Sequence, residues 1–173
     1  MREFDRAAGE IASCCSVLGL GYRVEWGQNG GQYFIIGYGK TAVTVSCHPA
    51  DSKFTMRVER RLTNIEGVGI ADAVPVVNYE ESAEHGTPVR VKPIVEEVDA
   101  VEYLDGFRAE RPLFVYSDGF GPQAFDESAA SVTQACSDAF SNLLEQTGID
   151  LTDSTAAESG NAAQREGARR GYQ

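Results

Sequence analysis

Two neighbouring stretches bring reactive residue types close together. Gly39-Lys40-Thr41 has the residues that end a phosphate-binding loop, and Cys47-His48 sets a thiol beside an imidazole. A phosphate loop of the form Gly-x-x-x-x-Gly-Lys-Ser/Thr follows a strand and opens a helix, so that backbone N–H groups cup the phosphates at the helix N-terminus. Here the first glycine position is Phe34, and Thr41 is followed by Ala-Val-Thr-Val-Ser-Cys, a period-two strand pattern. Gly39 and Lys40 are therefore expected to form the two-residue turn of a β-hairpin, with Gly39 at the position of positive φ. No nucleotide or other cofactor is expected.

The second stretch fails on geometry. A strand turns adjacent side chains to opposite faces, so Cys47 and His48 cannot grip one ion while a strand runs through both. The other histidine is His85, and the other cysteines are Cys14, Cys15 and Cys136. Structural zinc sites use four Cys or His ligands, in pairs spaced two to four residues apart, and these residues lack that spacing. Cys14 and Cys15 would stand about 100° apart around a helix. With no regular spacing of Cys and no secretory signal pattern, reduced thiols acting as small core residues are expected. No Gly-x-Ser-x-Gly elbow is present. Glu96, Glu97, Asp99, Glu102 and Asp105 cluster, but in so acidic a chain they are expected to be a solvated face. Catalytic, cofactor-binding and metal-binding residues are each expected to be none.

These residues sit on a legible set of elements. Residues 3 to 18 repeat apolar positions (Phe4, Ala7, Ala8, Ile11, Cys14, Cys15, Leu18) at steps of three and four, which predicts an amphipathic helix. Four strands are predicted next: 22 to 26, 33 to 38, 41 to 47, and 53 to 61, joined by turn residues into an antiparallel meander. The middle region, 63 to 110, is mixed. Val74 to Tyr79 and Val89 to Val95 suit strands that prolines push to an edge, and residues 94 to 106 suit either a helix or an irregular edge strand. Residues 112 to 117 read as a short buried strand. A second amphipathic helix, 126 to 147, carries Ala129, Val132, Cys136, Phe140, Leu143 and Leu144 toward the sheet. The expected fold is α+β, one domain over 1–150, with residues 151–173 a tail that is disordered or ordered by a partner.

The chain carries a formal charge of −11 with Lys at only Lys40, Lys53 and Lys92, its other basic residues being Arg. Surplus carboxylates and scarce lysine suit a high-salt cytosol, where the Debye length is about 3 Å at 1 M. This composition is similar to that of haloarchaeal proteins, which implies a high-salt source. Such a charge repels nucleic acid and anionic membranes. No apolar run reaches the roughly 18 residues of a spanning helix. A cytoplasmic protein, or one carried in a particle assembled there, is expected.

One strand is apolar on both faces, Tyr33-Phe34-Ile35-Ile36-Gly37-Tyr38. If Tyr33 and Ile35 meet the helices, Phe34, Ile36 and Tyr38 lie on the other side, beside Lys53, Arg57 and Arg61. That set is the expected partner contact. The expected function is a non-catalytic interaction or assembly module: a homo-oligomer, an adaptor, or a subunit of a larger particle such as a virion. The alternatives are a cysteine- or metal-dependent enzyme and a small-molecule-binding regulator.

Overall fold

The apolar stripe of the N-terminal segment folds as α1, Glu3–Leu18, with Ala7, Ile11, Cys14 and Cys15 buried. Its last turn closes through Leu20 N–H to the Cys15 carbonyl, 2.8 Å, and Gly19 N–H to the Ser16 carbonyl, 3.2 Å. The computed structural model describes residues 3–27, 31–48, 53–62, 73–81 and 87–147. The expected tail, 151–173, and His85 lie outside the described residues.

The meander forms as β1 (Tyr22–Trp26), β2 (Gln32–Tyr38), β3 (Thr41–His48) and β4 (Lys53–Arg61), each antiparallel to the next. Gly39 takes φ +64° in the two-residue turn between β2 and β3, the conformation that suits glycine at that site. The stretch resembling a phosphate loop is therefore a hairpin.

The sheet has seven strands rather than the four of the meander. A 3-10 turn, Val74–Val77, is followed by β5 (Tyr79–Glu81), β6 (Val89–Val98) and β7 (Val101–Leu113). The strand order is β1-β2-β3-β4-β7-β6-β5. Residues 94 to 106 contain no helix. Asp99 and Ala100, at φ 53° and 64°, turn β6 directly into β7, and Val98 pairs with Val101. Cross-strand pairing prevails over the three-residue apolar spacing because the valines are β-branched. Pro93 lies inside β6 opposite Phe107. It is tolerated because β5 pairs only with Val89 to Val91, leaving that side of β6 as an edge from Pro93 onward. The register slips between Ile94 and Val95, so that Asp105 of β7 is the extra residue of a β-bulge. The segment 112 to 117 is the end of β7 and a turn, with Phe114 and Tyr116 exposed.

The closing helix, α2, spans Pro122–Thr147 and begins earlier than the apolar stripe alone indicates. Proline fits the first helical position, where its missing N–H has no intrahelical partner to lose. Phe125, Ala129, Val132, Ala135, Cys136, Ala139 and Leu143 are buried. α2 crosses β3, β4, β7 and β6, and α1 lies against α2. The core thus sits between the two helices and one face of the sheet.

Candidate functional site

The register decides which face of β2 turns inward. Phe34 pairs with Val45, and Val45 with Met56, so Phe34 and Ile36 share the face that the helices cover. Phe34 is 3% exposed and Ile36 1%. This corrects the expectation that these two residues lie on the outer side. Tyr38 is on the same inner face, half-buried, and its hydroxyl donates to Asp126 Oδ1 at 2.7 Å. Burial and that bond push the Tyr38 hydroxyl up to about 12. Tyr38 is an anchor between β2 and α2. The residues of β2 on the open face are Tyr33 and Ile35.

Lys53, Arg57 and Arg61 do share the open face of β4, Lys53 exposed at the start of the strand. Two of them are held in an ionic mesh. Arg57 Nε lies 3.8 Å from Glu59. Arg61 bonds to Asp105 and approaches Glu59 at 3.8 Å and Glu96 at 3.9 Å. Arg108 meets Glu110 at 3.1 Å, and Lys92 meets Glu110 at 3.0 Å. The arginines and Lys92 are interleaved with carboxylates, so among the described residues this face presents no uncompensated basic stripe of the kind that holds a phosphate backbone. Each exposed pair is worth about 0–1 kcal/mol.

The groups that could do chemistry are dispersed. The backbone of Cys47 and His48 lies in β3, opposite Phe54 and Lys53, and their side chains lie outside the described residues. Cys14, Cys15 and Cys136 are buried free thiols. Burial pushes the Cys15 and Cys136 thiols up to about 11, where little nucleophilic thiolate exists near neutral pH. At Cys136 this outweighs the neighbouring Arg60, whose guanidinium lies 5.1 Å from the centre of the Phe140 ring. Arg111 is buried and donates to Ser131 Oγ at 2.9 Å. Among the described residues no group of three or more His, Cys, Asp or Glu is placed to hold a metal ion. None of their helices is long and apolar enough to cross a membrane.

A pair of carboxyls, Glu81 and Asp138, joins β5 to α2. Burial, then a hydrogen bond with Asp138 and its charge, raise Glu81 above the ordinary glutamate range. The folded chain thus holds a proton that the unfolded chain releases. Stability from this contact is full below the unfolded glutamate pKa and is lost as pH rises through the raised folded value. Glu81→Gln is expected to remove that loss. Thermal unfolding between about pH 4 and 7 should show the variant gaining on the wild type as pH rises; parallel profiles would contradict the shared proton.

One apolar strip left uncovered lies on β1, the edge strand beyond β2. All five residues are exposed. Tyr22, Val24 and Trp26 pair with Ile36, Phe34 and Gln32, so they continue the inner apolar face past the helices. Tyr22 and Val24 are each 41% exposed and Trp26 70%. The Tyr22 ring lies 6.0 Å from that of Phe34, tying the exposed strip to the core. The opposite sheet edge, β5, is three residues long and carries Glu80 and Glu81, the short charged design that blunts an edge. A second projection is the β6–β7 hairpin beyond the bulge. β4 pairs with β7 only from Gly106 to Leu113, and Val95, Val101 and Tyr103 are exposed on the free arm.

Sequence reasoning passed over Tyr22, Val24 and Trp26. The signal was there: the first strand of a meander is an edge unless a later strand returns to it, and an apolar alternation on such a strand has a face to cover. No protein family, curated protein or solved structure matches this chain.

Proposed function

We propose that this chain is a non-catalytic interaction or assembly module that docks another polypeptide along β1. The observation that supports it most is the alignment of Tyr22, Val24 and Trp26 on an exposed edge strand whose outer side pairs with no other strand among the described residues. Such an edge offers backbone N–H and C=O groups and an apolar strip together, the two components of strand addition. The β6–β7 arm adds a second apolar projection of the sort that assemblies clasp.

The experiment is sedimentation of extract from the native host, at its native salt, comparing the wild type with the Val24→Lys variant. The wild type is expected in a complex larger than the 18.7 kDa chain, and the variant released from it. Lysine at an edge strand is tolerated by the fold and opposes strand addition. A wild-type chain that sediments alone would overturn the reading.

A further inference from the structure

The sequence of β1, Tyr-Arg-Val-Glu-Trp, is complementary to itself. About Val24, opposite charges stand one step away, at Arg23 and Glu25, and aromatic rings two steps away, at Tyr22 and Trp26. Arg23 and Glu25 lie on the open face, 2.9 Å apart and half exposed.

The backbone has the matching parity. At the two ends of β1, Gly37 N–H donates to the Gly21 carbonyl at 3.0 Å, and Gly27 N–H donates to the Gly31 carbonyl at 2.7 Å. Successive strand residues aim their N–H and C=O to alternate sides. Odd-numbered residues of β1 therefore bond to β2, and Tyr22, Val24 and Trp26 turn their backbone groups to the free edge.

We propose that the polypeptide docked on β1 is β1 of a second copy of this chain, antiparallel, about a two-fold axis at Val24. This rests on the interaction-module reading and names its partner. Tyr22 then opposes Trp26, Arg23 opposes Glu25, and Val24 opposes Val24. The outward-turned residues meet as hydrogen-bonded pairs, each exchanging two N–H···O bonds. Both charge pairs are attractive, and the apolar strips join into one. A slip of two residues, the smallest that keeps the bonding parity, sets Arg23 against Arg23 or Glu25 against Glu25. Like charges directly opposite are destabilising, so charge selects the register. The pairing is isologous and closes at the dimer. A five-residue edge is small beside a standard interface of about 1,600 Å², so the dissociation constant is expected on the order of micromolar.

Sedimentation velocity over a concentration series, with Trp26 emission recorded alongside, tests this on the full chain. The variants are Arg23→Glu, Glu25→Arg, their equimolar mixture and the double reversal. Near-ultraviolet circular dichroism confirms that each is folded. The wild type is expected to dimerise as concentration rises, with Trp26 emission moving to shorter wavelength. Each single reversal sets like charges opposite one another twice and should weaken the dimer about tenfold or more. The mixture should form a heterodimer near wild-type strength, and the double reversal should dimerise again. A wild type that stays monomeric, single reversals without effect, or reversals that fail to rescue one another would each overturn the two-fold pairing. So would a monomer whose Trp26 becomes accessible only when residues 148–173 are removed, since the chain's own C-terminal segment would then occupy the edge. If the purified chain is monomeric while host extract holds it in a complex that Val24→Lys releases, the second-copy assignment fails and the interaction-module reading stands. If it is alone in both, both fail.

Discussion

Replacing Gly106 with alanine is expected to cost about 3 kcal/mol or more, and replacing it with valine to prevent folding. A Cβ at Gly106 would fall onto the carbonyl oxygen of Arg60 and lie 3.1 Å from the Arg61 Cα. These are backbone atoms of the neighbouring strand, so no side-chain rotation relieves the clash. Gly106 pairs with Arg61 on one side and Ile94 on the other, next to the bulged Asp105. Leu62 N–H donates to the Asp105 carbonyl at 2.9 Å, holding the end of β4 against β7. Separating the strands to admit a methyl group would break that bond and loosen the central ladder, at about 1 kcal/mol for each hydrogen bond lost. Denaturant unfolding reads the effect; an alanine variant within about 1 kcal/mol of wild type would contradict the close approach.

Phe125→Ala is expected to destabilise by about 3–5 kcal/mol. Phe125 is among the largest fully enclosed side chains, in the first turns of α2, where its N–H donates to the Gly121 carbonyl at 2.9 Å. Removing the ring leaves a cavity between α2 and the sheet that the surrounding backbone cannot close. Tyr38 bonds to the adjacent Asp126, so the start of α2 is pinned and cannot collapse into the space. Against a typical stability of about 5–15 kcal/mol, the loss should lower the thermal midpoint by about 10 °C. A shift of only a degree or two would mean that this part of the core is loose.

The sequence marked out the two helices and the meander because each had a strong period and a definite stop. The hairpin at Gly39-Lys40 was legible from the turn residues alone. The same turn fixes the faces of β2. A two-residue turn pairs Tyr38 with Thr41, which sets Ile36 opposite Val43 and Phe34 opposite Val45. Since Val43 and Val45 alternate with smaller or polar residues, they mark the inner face, and Phe34 and Ile36 follow them inward. Reading β2 by itself leaves its faces equivalent, because both are apolar. The later strands were obscured for a different reason. Asp99 and Ala100 form the β6–β7 turn without glycine or asparagine, so the chain carries no local hairpin signal there. Pro93 argued against an internal strand, and only the short reach of β5 makes room for it. The exposure of β1 depends on how far the helices extend across the sheet, which no local pattern states.

The central claim is that β1 is where this chain meets its partner, and Trp26, the single tryptophan, reports on it directly. Acrylamide quenching of Trp26 emission, compared between dilute free chain and the assembled form, is the decisive measurement. The free chain is expected to quench readily, and assembly to cut quenching several-fold while shifting emission to shorter wavelength. An assembled form in which Trp26 stays as open to acrylamide as in the free chain would contradict the account.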